Sequence, residues 1–374
     1  MSYEQEIAKL RNRIDGIDEK MTALFEQRMD AVKEVAALKQ QHDKPVMDAG
    51  REQAVIDKAL GRLKNKGYEA ETASFYRALI DISKKSEQKH MAAPEPSPLP
   101  EGARVGYLGI PGSYSHTAAE EAFAGAELVS FNTFESIFEG LKNDAVSLAI
   151  VPAENTETGS ITAVVDLLAR YGFYIVAEKL LRVSHSLLGV KGAKPDDIRI
   201  IYSHPEPFGQ CSSFLSARPL IETRPALSTA QAADMVARAG DSAAACIASS
   251  RAAEIYGLDI IEDGIQNSGS NCTRFVVIAK RPVTGMGCNK TSIVFMVEHR
   301  PGSLFEILKL FSDGGVNILK LESRPLRDRP FEYMFHLDFE GSLSDENVAA
   351  TIERVKNTAA DYIFLGCYRR EAAL

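Results

Sequence analysis

Residues 269–282 read "GSNCTRFVVIAKRP". Phe275 to Ala279 form a short apolar run bounded by breakers, which predicts a buried strand. The chain enters it through Asn271, Cys272, Thr273 and Arg274. Such an entrance can be a plain polar loop. It can also hold a hydroxyl and a guanidinium rigidly at a strand end, where α/β proteins place their clefts. The sequence upstream repeats the pattern. "RVGYLGIPGSYSHTAAEEAF" (104–123) reads as strand, glycine-bearing loop and helix, with Ser113 and Ser115 at a helix N-terminus suited to an anion. "LAIVPAENTETGSI" (148–161) closes a buried strand with Glu154 and Asn155, followed by Ser160. "IIYSHPEPFGQC" (200–211) closes another with Ser203 and His204, followed by Gln210, and "STAQAADMV" opens a helix capped by Ser228 or Thr229. Several polar strand ends in succession predict two α/β lobes with a site between them.

The bulk numbers bound the rest. A chain of 374 residues is too long for one ordinary core, so two or three domains are expected. A net charge of −8 argues against nucleic acid as a main partner. The five cysteines form no C-x-x-C pair and are odd in number, which argues against a disulfide framework or a zinc site. No metal and no organic cofactor are expected. The N-terminus is charged from Glu4 and has no apolar signal core. No apolar run approaches the roughly 20 residues that span a bilayer, so a cytoplasmic protein without a membrane partner is expected.

Two boundaries divide the chain. "AAPEPSPLPEG" (92–102) is a proline-rich linker, extended and semi-rigid. A second boundary lies near "RPVTGMGCN" (281–289). The expected domains are 1–91, helical; 103–282, α/β; and 289–374, where the pattern strand (Thr291–Val297), helix (Leu304–Ser312), strand (Asn317–Glu322), strand (Glu332–Phe339), helix (Glu346–Asn357), strand (Tyr362–Tyr368) is the ferredoxin-like order.

In the first segment, apolar residues fall at 7, 10, 14, 17, 21, 24, 31, 35 and 38, a heptad seam on one long helix. Arg28 stands where the seam calls for an apolar residue, and Lys39 shares its face. A charge on a packing seam is costly unless it is paired or binds something. Asp48, Arg51 and Glu52 share a face of the second helix, and Ser83 and Glu87 lie one turn apart on the third. Helical charges are commonly solvated, and that reading stays open beside a functional one.

"LRNRID", Arg28, Lys39 and "PVMDAGRE" resemble the all-helical chorismate mutase domain that opens bifunctional P-proteins. The resemblance implies that Arg11, Arg28, Lys39, Asp48, Arg51, Glu52 and Ser83 bind substrate. Arg11 and Arg28 would hold carboxylates, and Lys39 would face the ether oxygen. The chorismate-to-prephenate rearrangement needs no nucleophile, only a dianion held in a reactive geometry with charge at the breaking ether bond. Arg11 and Lys39 are about 42 Å apart along a straight helix. If both serve one site, Arg11 must come from an antiparallel partner, which implies an intertwined homodimer or higher homo-oligomer. The sequence departs from the family at the position four after Ser83. Glu87 stands where a glutamine usually donates to the ether oxygen, and the glutamine is Gln88.

"GYLGIPGSYSH", "VPAENTETGSI", "YSHPEPFGQC", "STAQAA" and above all "NCTRFVVI" resemble prephenate dehydratase, whose fold is like that of type II periplasmic binding proteins. The resemblance makes Thr273 the donor to the departing hydroxyl. It implies substrate contacts from Ser113, Ser115, Glu154, Asn155, Ser160, Ser203, His204, Gln210, Thr229, Asn271 and Arg274, the last pairing with a carboxylate or being structural. "EHRPGSLFEIL" and "LKLESRP" resemble ACT domains of phenylalanine-regulated enzymes. These pair across chains and bind an amino acid at the seam, here implying Gly302, Ser303, Leu304, Glu322, Ser323 and Arg324. The fold class expected is thus an all-α domain, a two-lobed α/β domain and a ferredoxin-like α+β domain. Two other readings stay open: a dehydratase with a merely dimerising helical domain, and a non-catalytic binding protein fused to an amino-acid sensor.

Overall fold

The computed structural model describes residues 3–41, 49–90, 102–282, 287–326 and 333–371, without the side chains of 40, 41, 49, 50, 52, 81, 84, 85 and 87–90. The chain forms two compact units, Met1–Glu95 and Pro96–Leu374. Most of the expected linker, and Asp48, lie outside the described residues, as do the side chains of Glu52, Glu87 and Gln88.

The first unit has helices α1 (Tyr3–Gln41), α2 (Ala49–Arg62) and α3 (Glu69–His90). Helix α3 packs on both others. Its core is small, with Ala36, Ile56, Ala59, Leu79 and Ile80 buried. The heptad seam of α1 is not part of that core: Leu10, Ile14, Ile17, Met21, Leu24, Val35 and Leu38 are exposed in the single chain.

The second unit begins with an α/β lobe of β1 (Arg104–Leu108), α4 (Tyr114–Ala122), β2 (Glu127–Phe131), α5 (Phe134–Lys142), β3 (Leu148–Asn155), β4 (Gly159–Ser160), α6 (Thr162–Tyr171) and β5 (Tyr174–Arg182). The chain then crosses into a second lobe: β6 (Ser186–Gly189), β7 (Ile200–Ser203), α7 (Pro205–Gln210), α8 (Ser212–Ser216), β8 (Glu222–Pro225), α9 (Thr229–Ala239), β9 (Ala244–Ala248), α10 (Ser250–Tyr256) and β10 (Asp259–Glu262). It returns as β11 (Cys272–Ala279), which inserts between β3 and β5. The lobe sheets have the orders β2-β1-β3-β11-β5, with β4 on β3, and β10-β6-β9-β7-β8. Two lobes joined by two crossings are what the alternation of apolar runs and helices calls for. One detail differs. Thr273 and Arg274 do not precede the strand; they are its second and third residues and pair with Asn155 and Glu154 on β3.

The remainder is β12 (Lys290–Met296), α11 (Ser303–Asp313), β13 (Ile318–Pro325), β14 (Tyr333–Glu340), α12 (Glu346–Thr358) and β15 (Asp361–Tyr368). Its sheet order, β13-β14-β12-β15, is antiparallel and ferredoxin-like, with each element within a few residues of its expected bounds. This sheet shares a core with the first lobe: Val294, Met334, Leu365 and Tyr368 pack in one cluster with Ala149, Val151, Ile175 and Val276. Gly366 permits the approach. A Cβ there would meet the Ile175 carbonyl oxygen at 2.0 Å, and its φ of +146° suits glycine.

Candidate functional site

Asn155 and Thr273 face each other at the end of the β3–β11 ladder. The Asn155 side-chain oxygen accepts from the backbone N–H groups of Glu157 (2.9 Å) and Thr158 (3.1 Å). That fixes the amide orientation, because only oxygen can take two N–H donors. Asn155 Nδ2 therefore donates, to Asn271 Oδ1 at 2.7 Å and to Thr273 Oγ1 at 2.9 Å. With a lone pair of Thr273 Oγ1 occupied, its own proton points elsewhere. No acceptor for that proton occurs among the described residues. The arrangement is a preoriented O–H donor on a rigid ladder, with Asn271 and Thr273 themselves buried.

Several expected contacts have other work. Ser203 is fully buried and donates to the Ile247 carbonyl at 2.8 Å. His204 caps α7, Ser113 caps α4, and Ser228 rather than Thr229 caps α9. Thr229 and Ser115 are buried. Ser160 pairs with Glu154 on the β3–β4 hairpin. Gln210 Oε1 accepts from His185 Nε2 at 2.7 Å, and the other His185 nitrogen lies 2.8 Å from the Tyr114 hydroxyl. Tyr114 also donates to the Ser184 carbonyl at 2.6 Å. Tyr114 belongs to the first lobe, His185 to the crossing and Gln210 to the second lobe, so one buried chain of hydrogen bonds pins the hinge. Burial lowers the pKa of His185, which favours the neutral ring. No motif pointed to His185 in the sequence; its partners are far away in the chain.

The lobes also touch directly. Ser249 donates to the Gly112 carbonyl at 3.1 Å, and Tyr256 to the Pro111 carbonyl at 2.8 Å. Arg251 grips both oxygens of Glu120 at 2.9 and 2.7 Å. A Cβ on Gly112 would press on Ala252 at 3.2 Å.

In the first unit, Arg28 donates to the buried Ser83, whose hydroxyl donates to the Leu79 carbonyl at 2.6 Å. The structure thus brings together two of the sequence-selected polar residues of α1 and α3. Lys39 is half-buried, while Arg11 and Arg51 are exposed.

In the C-terminal sheet, Gly302, Ser303 and Leu304 line a pocket of about 510 Å³ at the start of α11, together with Phe305 and Phe335. Gly302 is the α11 cap with φ +87°, and Ser303 Oγ donates to the Arg300 carbonyl. Glu322, Ser323 and Arg324 do not line this pocket of the same chain. They belong to β13, and Arg324 is held by Asp166 of α6 at 3.0 and 3.3 Å.

Three family models match: chorismate mutase type II over residues 10–88, prephenate dehydratase over 105–283 and ACT domain over 291–357. The bifunctional chorismate mutase/prephenate dehydratase of Escherichia coli strain K12 is 31% identical over 379 residues, covering 99% of this chain and 98% of that protein. The chain belongs to this bifunctional family. A relative in Arabidopsis thaliana, the chloroplastic arogenate dehydratase/prephenate dehydratase 1, is 40% identical across 71% of this chain and 71% of its own. Among solved structures, prephenate dehydratase from Arthrobacter aurescens in complex with L-Phe superposes with a TM-score of 0.66 at 27% identity, over 71% of this chain and 90% of that one. GqqA, described as a novel type of quorum quenching acylase, superposes with a TM-score of 0.67 at 29% identity, over 72% and 98%. No described helix is long and apolar enough to cross a membrane.

The junction between the dehydratase and ACT domains is charged and buried. Arg274 is 9% exposed. It donates to Glu178 Oε2 at 2.7 Å and to the Tyr368 hydroxyl at 2.7 Å, and pairs with Asp338 at 2.9 Å. Lys290 joins Glu178 at 2.8 Å, and Ser292 donates to Asp338 at 2.5 Å. Two buried cations thus meet two buried anions, as burial demands. Burial alone would raise the Asp338 pKa, but His336, Arg274 and Lys290 pull it down to about 2. Burial and then the Arg274 charge lower that of Lys290. Arg274 is therefore occupied by the junction. The expectation that it pairs with a substrate carboxylate gives way to the structural alternative.

Proposed function

We propose that the helical unit converts chorismate to prephenate and the two-lobed unit converts prephenate to phenylpyruvate, CO2 and water. The observation that carries the second step is the Asn155–Thr273 pair, which leaves the Thr273 hydroxyl proton without an acceptor among the described residues. Loss of the ring carboxylate aromatises the ring while the hydroxyl leaves. Thr273 donates a hydrogen bond to the departing oxygen, stabilising it as it leaves as hydroxide, which takes a proton from solvent to become water. Asn155 orients Thr273, and Asn271 orients Asn155. Ser113, Ser115, Ser160 and Thr229 remain candidates for contacts with the substrate anions, whereas Glu154, Ser203 and Arg274 are read as structural.

In the mutase, Arg28 and Ser83 form one side of the site, with Lys39, Asp48, Arg51, Glu52 and either Glu87 or Gln88. Arg11 completes it from a second copy, whose α1 would cover the exposed heptad seam. Phenylalanine is the effector, bound beside Gly302, Ser303 and Leu304 where two ACT domains pair, with Glu322, Ser323 and Arg324 contributing from β13. We assign the mutase to residues 1–91, the linker to 92–102, the dehydratase to 103–282 and the ACT domain to 289–374, in a cytoplasmic enzyme. Neither step is assigned a metal or organic cofactor.

The test is to supply chorismate alone to the purified protein and follow products by NMR. Phenylpyruvate is expected. Prephenate that accumulates and stops would remove the dehydratase assignment, and unchanged chorismate would remove the mutase.

A further inference from the structure

Strand β3 pairs with β11 through Asn155↔Thr273 and then Glu154↔Arg274, but the next pair is Pro152↔Phe275. Ala153 is skipped. This is a β-bulge, a device that re-aims a side chain. Before it, Ile150 and Val277 share one face of the sheet, and Val151 and Val276 the other. The extra residue turns Glu154 to the face of Val276, where the ACT sheet packs. There Glu154 Oε2 lies 3.2 Å from Lys320 Nζ of β13 and 3.6 Å from Arg274. Arg274 in turn meets Asp338 of β14 at 2.9 Å. The Asn155–Thr273 pair, one residue along each strand, takes the opposite face.

We propose that the Glu154–Arg274 pair is a coupling rung: the ACT sheet, holding Glu154 through Lys320 and Arg274 through Asp338, sets the position of Asn155 and Thr273. Glu154 and Arg274 are positioning residues. They touch no substrate, yet each is covalently the next residue to a member of the proposed donor pair. Two strand-forming residues displaced together carry their neighbours with them, because the ladder bonds Thr273 to both β3 and β5. A shift of the ACT sheet therefore reaches the donor through the adjacent residue on each of two paired strands. The inference rests on Thr273 as the dehydratase donor and, for regulation, on phenylalanine as effector.

The test compares full-length wild type with Lys320→Met and Asp338→Asn. Mutase turnover serves as the control for folding, and phenylalanine binding is measured by calorimetry. For Lys320→Met, dehydratase kcat falls about fivefold with the prephenate KM within about twofold, since an interaction made in the transition state is altered rather than ground-state binding. Phenylalanine still binds, but its effect on dehydratase turnover shrinks. Asp338→Asn does the same more strongly; if it fails to fold, Lys320→Met, whose side chain is partly exposed, still decides. Unchanged kcat together with an unchanged phenylalanine response overturns the rung. A wild type that does not bind phenylalanine removes the effector reading instead, and the kcat-against-KM split then judges the rung alone. Loss of dehydratase activity in a Thr273→Ala control is required for either conclusion; its absence removes the donor assignment and the rung with it.

Discussion

Thr273 and Arg274 are consecutive residues on β11 and serve opposite faces of one sheet. Thr273 takes a hydrogen bond from Asn155 on the face of Phe275 and Val277, and Arg274 is locked among Glu178, Asp338 and Tyr368 on the ACT side. A strand's period of two makes this division possible. It places a hydroxyl donor and a domain junction within one peptide unit of each other.

The first prediction concerns that donor. Thr273→Ala should lower dehydratase kcat at least about a hundredfold, the usual cost of removing one preorganised donor. Thr273→Ser should retain more, because the serine hydroxyl can still accept from Asn155. Asn155→Asp should approach Thr273→Ala, since a carboxylate accepts the threonine proton instead of leaving it free. Mutase turnover should stay at wild type in all three. Rates from chorismate and from prephenate on the same preparations check this, and near-normal dehydration by Thr273→Ala would remove the assignment.

The second concerns the exposed seam of α1. Arg11→Ala and Lys39→Ala should each abolish mutase activity. Mixed and refolded together, they should regain about a quarter of wild-type mutase activity, because a hybrid of two antiparallel copies keeps one intact site of two. If each site is built within one chain, mixing restores nothing.

The third follows from Glu87, which replaces a neutral donor four residues after Ser83. An ionised glutamate only accepts, so it must be protonated to donate to the ether oxygen. Mutase kcat should rise as pH falls below neutral, and Glu87→Gln should flatten the profile. A flat wild-type profile would place Gln88, not Glu87, in the site.

Much of this architecture was legible because it is local. The 3–4 spacing of Leu10 to Leu38 announced a long helix with a packing seam, and the order of apolar runs after Asn289 announced the ferredoxin-like sheet. Thr273 and Asn155 stood out as polar strand ends. What was not legible is non-local. Glu154 read as a site residue because strict alternation gives no hint of the bulge at Ala153. Arg274 read as available for substrate because Asp338 and Tyr368, which occupy it, lie some sixty to ninety residues later in a different domain. His185 carried no motif, and only the fold brings Tyr114 and Gln210 to it.

The fourth prediction uses another such group. His336 of β14 is 3% exposed, its Nε2 lies 3.3 Å from Asp338 Oδ1, and neither ring nitrogen has a hydrogen-bond partner among the described residues. Its surroundings are Asp338, Lys320, Arg274 and Glu322. Burial is the largest influence, and its pKa is lowered in the folded chain. The sign follows from linkage. Above the ordinary histidine range neither state carries the proton and His336 has no pH effect. As pH falls through about 6.5, the unfolded chain takes up the proton first, and stability declines until the folded pKa is reached, at up to about 1.4 kcal/mol per pH unit. Asp338 does not contribute in this window, because its pKa of about 2 lies far below it. His336→Leu fills similar space without a titrating group. Thermal unfolding between pH 7.5 and 5 should show a shallower loss of Tm for the variant than for wild type. His116 and His185, whose pKa values burial also lowers, keep part of the slope in both. Parallel slopes would show that His336 takes up its proton equally in the folded and unfolded chain.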